Sequence, residues 1–517
     1  MTDCGLKKVM MGKVYTAAII GIEGKQVMVE TDIGDGLPYF DMVGYLGSEV
    51  KEARERVRTA IKNAGFRLPP SRITVNLSPA DVRKQGNHFD LPIAMSVLAA
   101  AGFVPREMLE NVMFIGELGL EGDIRPVNGT LSLVQCAGDC GMKAVFLPEA
   151  NAAEGANLEN IPVYGFSSLS GLVEALVCDS LPEPAAPGSP KDEGDGDEIP
   201  DFSELRGQET LRRASLIAAA GMHNLLLIGP PGSGKTMAAK RIPGIMPPMT
   251  RNEEIELTKI YSVSGLLPKD SPIMTRRPIR SPHHTISAQS LAGGGAFPRP
   301  GEISLAHRGI LFLDELPEFR RGTLEVMRQP IEDGRVVINR VQGSYVFPAS
   351  FMLVAAMNPC PCGFYPDRSQ CRCTEGEIKR YLDRISQPLL DRIDLCAEAG
   401  RINYDDLTGK AGESSASMRG KVEAALERQK ARYKGTSIRT NAQLSEKDLE
   451  KYCPLGREGS LLLKKAYDSL GLSARARGRI IKTARTIADL EESAEIRTEH
   501  LAEAVTFRSI DKKYWGR

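Results

Sequence analysis

Asn224-Leu-Leu-Leu-Ile-Gly-Pro-Pro-Gly-Ser-Gly-Lys-Thr236 is the stretch that decides how this chain folds. Leu225 to Ile228 are four consecutive apolar residues, short enough for a strand buried inside a parallel sheet. Gly229, Pro230, Pro231, Gly232, Ser233, Gly234, Lys235 and Thr236 then fit the spacing G-x-x-x-x-G-K-[ST]. The glycines let backbone N–H groups turn inward around a phosphate chain. Lys235 reaches the terminal oxygens, and Thr236 offers its hydroxyl to Mg²⁺. Met237 to Arg241 are good helix formers, so the loop opens onto a helix N-terminus whose dipole favours anions. Pro243 discourages that helix from continuing.

The partners of such a loop decide which chemistry it serves. Gly309-Ile-Leu-Phe-Leu-Asp-Glu315 is a second apolar strand, ending in two carboxylates. Asp314 suits the Mg²⁺ shell, and Glu315 can polarise a water for attack on the γ-phosphate. Phe351-Met-Leu-Val-Ala-Ala-Met357 is a third strand that delivers the side-chain amide of Asn358, suited to orienting that water. Pro388-Leu-Leu-Asp-Arg-Ile-Asp394 contains Arg392, a candidate finger cation; Arg384 is a second candidate, and a salt bridge to Asp391 or Asp394 is the structural alternative. Leu205, Gly207 and Gln208 stand before the first strand, where an adenine pocket would form.

Outward from this centre the chain is long and mixed. Its 517 residues imply two to four domains. Sixty-six basic residues balance sixty-six acidic ones, so net charge selects no partner and a nucleic-acid surface must come from local clusters. No apolar run is long enough to span a bilayer. Val14 to Ile22, running through Glu23-Gly24-Lys25 into Val27 to Thr31, reads as a β-hairpin rather than a signal peptide. A cytoplasmic location is expected, with the ten cysteines reduced or metal-bound.

Ahead of the centre, Ser48 is placed to cap a helix with Val50, Ala53, Val57, Ile61 and Ala64 on one face, ended by Gly65. Ile73–Leu77 alternates like a strand, and Leu91–Ala101 reads as an apolar helix. Between Asp179 and Glu204 stand nine acidic residues, five prolines and one lysine, a composition that cannot offset its ordering entropy and predicts a tether.

Two insertions carry cations. Residues 276–308 include Arg276, Arg277, Arg280, His283, His284, Arg299 and Arg308, and Gly334 to Gly343 reads as a hairpin with Arg335 and Arg340. Arg276, Arg277, Arg280, Arg335 and Arg340 are candidate DNA-phosphate contacts; a subunit interface would use arginines equally well. His283 and His284, as sequence neighbours on a strand, would diverge rather than share a metal. Cys360-Pro-Cys362 and Cys371-Arg-Cys373 are two C-x-C pairs, whose four thiolates suit tetrahedral Zn²⁺. Ser417–Tyr433, Leu461–Leu470, Arg475–Leu490 and His500–Phe507 read as helices of a lid.

Together the phosphate loop, acidic strand and Asn358 resemble the AAA+ ATPases. Arg280-Ser-Pro-His-His-Thr-Ile286, Gly293-Gly-Gly295, Asn358-Pro-Cys-Pro-Cys-Gly363 and Ala484-Arg-Thr-Ile-Ala-Asp-Leu490 resemble a narrower group, the ComM/YifB branch of magnesium-chelatase-like AAA+ proteins. The front stretch, with Gly116-Glu-Leu-Gly-Leu-Glu-Gly-Asp-Ile-Arg-Pro126, resembles the S5-type α+β proteolytic domain of Lon-type proteases. Asp90 falls where that family has its serine and Leu131 where it has its lysine, so the dyad chemistry is absent.

The resemblance implies an α/β organisation. It has a Lon-like α+β domain over 1–178, an acidic linker over 179–200, a P-loop AAA+ domain over 201–400 and an all-helical lid over 401–517. It further implies ATP and Mg²⁺ as cofactors, an ATP-dependent homohexamer, and Arg475 as a second sensor of the γ-phosphate, with Arg477 and Arg479 close enough to be confused with it. By the same likeness the chain is expected to be a DNA branch-migration helicase of recombination and natural transformation. A chelatase- or MoxR-like ATPase that remodels a protein partner is the alternative, although the D-x-S-x-S signature of the chelatase metal domain is not found.

Overall fold

The computed structural model describes residues 10–188, 199–268, 271–341, 343–401, 404 and 411–516. Residues 189–198 of the expected acidic linker, and Cys4, lie outside them. The chain divides into two compact units, Met1–Glu193 with Arg251–Thr275, and Gly194–Thr250 with Arg276–Arg517.

The front unit is built on a mixed seven-stranded sheet. Its order is Tyr39–Val43, Arg72–Ser78, Glu23–Gly34, Met10–Ile20, Val112–Phe114, Ala144–Pro148, Val163–Phe166. The two longest strands form the expected hairpin, antiparallel with Val14 opposite Val29. Helix Ser48–Asn63 buries the expected stripe of Val50, Ala53, Val57 and Ile61, but its cap is Gly47; Ser48 is already helical. Helix Asp90–Ala100 is buried at every position. Asp90 is held by Arg56 through two hydrogen bonds of 2.9 and 3.0 Å, and Leu131 is fully buried. A carboxylate locked in an ion pair and an apolar side chain offer no nucleophile–base pair.

Helix Arg251–Ser264 falls within 201–400 by sequence yet belongs to the front unit. Ser262 shows why. Its hydroxyl donates to the buried Glu154 carboxylate at 2.5 Å and accepts from the Gly129 amide at 3.0 Å. Glu154 also accepts from the Leu131 amide at 3.1 Å. Burial raises the pKa of Glu154, and these hydrogen bonds oppose the rise. A buried carboxylate needs such partners, and here the inserted helix supplies one.

The second unit holds a five-stranded, wholly parallel sheet in the order Ile279–Arg280, Ile310–Leu313, Met352–Met357, Leu225–Ile228, Leu395–Glu398. All but the first strand are buried nearly throughout, as their continuous apolar runs require. The C-terminal region is helical: Ser415–Arg432, Glu446–Tyr452, Arg457–Leu470, Ala474–Leu490 and Thr498–Trp515. Met418, Val422 and Ala425 of its first helix share one core with Leu225 and Leu227 of the sheet. Residues 411–516 therefore pack as part of the unit that carries the phosphate loop. Among the described residues no helix is long and apolar enough to cross a membrane.

Candidate nucleotide site and cysteine knuckle

Parallel register brings three strand ends to one edge. Ile228 pairs with Met357 and Leu313 with Ala355, so Gly229, Asp314 and Asn358 all emerge at carboxyl ends, where open α/β sheets bind ligands. Gly232 and Gly234 have φ of 75° and 83°, a region that a side-chain-bearing residue adopts only with strain, and helix Lys235–Arg241 starts immediately afterwards.

Lys235 folds back into its own loop. Its Nζ donates to the carbonyls of Gly229 and Pro230, both at 2.8 Å, and lies 3.3 Å from Asn358 Oδ1. Burial pulls its pKa down to about 8, with Asp314 opposing the fall. A largely desolvated ammonium surrounded by neutral acceptors is a seat for an anion, which fits a phosphate chain. Thr236 Oγ1 donates to Asp314 Oδ2 at 2.8 Å, so the hydroxyl and carboxylate suited to magnesium already meet.

Glu315 is left-handed, with φ of 52°, and its amide donates to Asp314 Oδ1 at 2.9 Å. Its carboxylate meets the imidazole of His284, Nδ1 to Oε2 at 3.4 Å. The sequence offers His284 only as a metal ligand or as part of a basic segment. The position of His284, four residues beyond the edge strand Ile279–Arg280, was the available signal.

The expected adenine-pocket residues divide. Leu205 packs on the loop, its Cδ1 3.2 Å from where a Cβ on Gly234 would stand. Gly207 has φ of 67°, and the Gln208 side-chain Nε2 donates to the Gly400 carbonyl at 2.8 Å, bracing the segment beyond the outer strand.

Arg392 is bound within its own chain, although not to Asp391 or Asp394. It donates to the carbonyls of Arg328 at 3.1 Å and Pro388 at 2.7 Å, and pairs with Glu332 at 2.8 Å. Arg384 pairs with Glu318 at 2.9 Å and is half exposed. Arg475 is exposed, 3.9 Å from the same Glu332. Arg479 separates from it: it forms a buried pair with Asp394 at 2.5 Å, and the Asn224 amide donates to that same carboxylate at 2.9 Å. Arg477 points to Glu446 at 3.8 Å.

Of the candidate DNA contacts, Arg335 and Arg340 lie on the hairpin Arg335–Arg340 with Gly343–Pro348, and both are exposed. Arg276 is exposed too. Arg277 donates to the carbonyls of Pro247 at 2.8 Å and Arg308 at 2.6 Å, and Arg280 grips Glu302 at 2.7 and 2.8 Å. These two arginines hold the insertion together.

Cys360, Cys362, Cys371 and Cys373 place their sulfurs within 4.8 Å of one another. Cys360 lies 3.4 Å from Cys362 and 3.7 Å from Cys371, and Cys362 lies 3.6 Å from Cys371. A zinc–sulfur distance of about 2.3 Å gives a tetrahedral edge of about 3.8 Å, so the cluster fits zinc. The knuckle also touches the phosphate loop, since a Cβ on Gly363 would stand 2.5 Å from Pro231 Cδ.

Comparison with known proteins agrees with this geometry. The family model described as magnesium chelatase, subunit ChlI, matches residues 201–407; related models match 29–151 and, for the ChlI C-terminal region, 412–508. The chain is 43% identical over 510 residues to the uncharacterized protein YifB of Salmonella typhimurium, covering 96% of this chain and 97% of that one. It is 42% identical over 509 residues to the competence protein ComM of Haemophilus influenzae, with the same coverage. The 38 kDa subunit of the Rhodobacter capsulatus magnesium chelatase is 25% identical over 180 residues, 31% of this chain and 50% of that one. Full-length identity of this order shows that the chain belongs to the ComM/YifB family of magnesium-chelatase-like AAA+ proteins.

Proposed function

We propose that the chain is an ATP-hydrolysing ring motor acting on DNA, a branch-migration helicase of homologous recombination and natural transformation, working as an ATP-dependent hexamer in the cytoplasm. The convergence of Lys235, Thr236, Asp314 and Asn358 on one sheet edge carries the reading. The competence name of the Haemophilus relative and the exposed Arg335 and Arg340 support DNA as the polymer.

Bound ATP with its magnesium would supply the phosphoryl group and the cation that offsets its charge. Lys235 would exchange the Gly229 and Pro230 carbonyls for phosphate oxygens. Thr236 and Asp314 would hold the metal, Glu315 would accept the proton of the attacking water, and Asn358 would orient that water. Arg392 and Arg475, both next to Glu332, serve as finger and second sensor. Cys360, Cys362, Cys371 and Cys373 would hold zinc and thereby steady the loop that carries Asn358. The front unit, Lon-like without the dyad, serves as a docking module.

DNA contact falls chiefly to Arg276, Arg335 and Arg340, whose side chains are exposed. The test is ATP turnover with and without single-stranded or forked DNA at low salt. Turnover is expected to rise with DNA and the effect to fade steeply with salt, because phosphate contacts release counterions. Turnover indifferent to DNA, with a protein client recovered instead, would move the chain to the chelatase-like remodelling class.

A further inference from the structure

We infer that Lys513 and Tyr514, in the last turn of helix Thr498–Trp515, are positioning residues that hold the base side of the nucleotide site through Glu398. The inference rests on the nucleotide reading proposed above, and the grip on Glu398 carries it. Lys513 Nζ reaches both carboxylate oxygens of Glu398, at 2.7 and 2.6 Å, and the Tyr514 hydroxyl donates to Oε1 at 2.7 Å. Tyr514 is 7% exposed, so its hydrogen bond is sheltered from water where the lysine's is not. The turn is itself anchored on two further sides. The Trp515 indole donates at 3.2 Å to the carbonyl of Leu382, the last residue of helix Glu375–Leu382. The Tyr514 ring meets the Tyr365 ring of the cysteine knuckle edge-on at 6.1 Å.

Glu398 is where this grip meets the site. It ends strand Leu395–Glu398 and pairs in register with Ile228, the residue before the phosphate loop. Ala399 follows, donates its amide to the Ile228 carbonyl at 2.7 Å and lies against Gly229, so it still belongs to the sheet. Gly400 is the first residue beyond that ladder, and its carbonyl accepts from Gln208, the candidate adenine-pocket residue, at 2.8 Å. Glycine has more backbone freedom than any other residue, so the place of that carbonyl depends on what fixes residue 398. A carboxylate held by an ammonium and a sheltered hydroxyl fixes it. Once released, the Gly400 carbonyl and Gln208 gain freedom and the adenine ring loses a preformed wall, while the phosphate loop keeps its own strand and helix. Lys513 and Tyr514 therefore act on the base and not on the triphosphate.

The experiment measures ATP turnover, and the displacement of a fluorescent ATP analogue by ATP and by tripolyphosphate with magnesium present. It compares the full chain with Tyr514→Phe, Lys513→Ala, the two combined, and Lys513→Arg. Tyr514→Phe removes the hydroxyl and keeps the ring on Tyr365. The combined variant loses a partly exposed ion pair and a hydrogen bond to a carboxylate, and is expected to raise KM for ATP about three- to tenfold with kcat within about twofold of wild type. Lys513→Arg keeps the charge and is expected to stay near wild type. Tripolyphosphate presents the phosphates without a base, so its binding is expected to be unchanged in every variant. A merely structural role would weaken ATP and tripolyphosphate alike, and that result overturns the inference. So does a combined variant whose KM for ATP does not move while wild type binds the analogue. If wild type binds neither the analogue nor ATP, the nucleotide reading falls and the positioning role falls with it.

Discussion

Lys235 is held at a cost that nucleotide would relieve. Its ammonium is buried among the Gly229 and Pro230 carbonyls, and its pKa is down to about 8 from an ordinary 10.5. Because the folded value lies below the unfolded one, this group makes the nucleotide-free fold gain stability as pH rises from about 8 towards 10.5. Nucleotide affinity runs the other way. Phosphate raises the pKa again, so below about 8 the lysine is charged in both states and affinity is full. Above it, binding must take up a proton, and affinity should fall by up to about tenfold per pH unit. Titration with a fluorescent ATP analogue across that range checks this; Lys235→Arg should abolish the slope, and a flat wild-type profile would mean that the lysine is not desolvated. Glu315→Gln should leave ATP bound while cutting turnover by roughly 10²–10⁴, read in single-turnover hydrolysis. Normal turnover in that variant would mean that the water is activated elsewhere.

At the scale of elements, the cysteine knuckle and the phosphate loop act as one piece because Gly363 lies directly on Pro231. Gly363 has φ of 85°, and a Cβ there would stand 2.5 Å from Pro231 Cδ. Gly363→Ala should therefore strain the knuckle by about 1–2 kcal/mol and displace the loop, weakening ATP binding while metal analysis still finds one zinc per chain. Cys371→Ser should lose the zinc and lower Tm. Zinc at wild-type stoichiometry in that variant would leave the cluster as ordinary thiols. The four cysteines were legible because short spacing brings them together whatever the rest of the chain does. So were the phosphate loop and the acidic strand, each a local run with its chemistry at one end. The meeting of His284 with Glu315, and of Arg392 with Glu332, was not legible. It depends on strand order and on side chains that are 31 and 60 residues apart (315 − 284 and 392 − 332). The place of helix Arg251–Ser264 in the front unit, inside the expected 201–400 domain, is not legible for a related reason: it depends on the buried Glu154, 108 residues from Ser262.

At the scale of the proposed ring, the finger reading predicts which arginine would cross to a neighbouring subunit. Arg392 is fixed at its stem by the Arg328 and Pro388 carbonyls, and its remaining charge is answered by Glu332, a residue 42% exposed in its side chain. That arrangement aims a guanidinium while leaving one partner exchangeable, as a finger arginine requires; the neighbour's γ-phosphate would replace Glu332. Arg384 is freer but is tied to Glu318, only three residues from Glu315 of its own chain. Mixed rings separate the two. Chains with Arg392→Ala keep an intact Glu315, and chains with Glu315→Gln keep an intact Arg392, so at their shared boundary one arrangement contains both groups. Mixing the two inactive proteins should restore part of the turnover, highest near equal proportions, whereas a mixture of Arg384→Ala with Glu315→Gln should show no such maximum. Glu332→Gln should lower the ATP concentration needed for half-maximal turnover, because the phosphate no longer competes with a carboxylate for Arg392. Recovery confined to the Arg384 mixture would transfer the finger role to that residue. Absence of recovery in both would make Arg392 a brace between helix Arg328–Asp333 and the Pro388 turn.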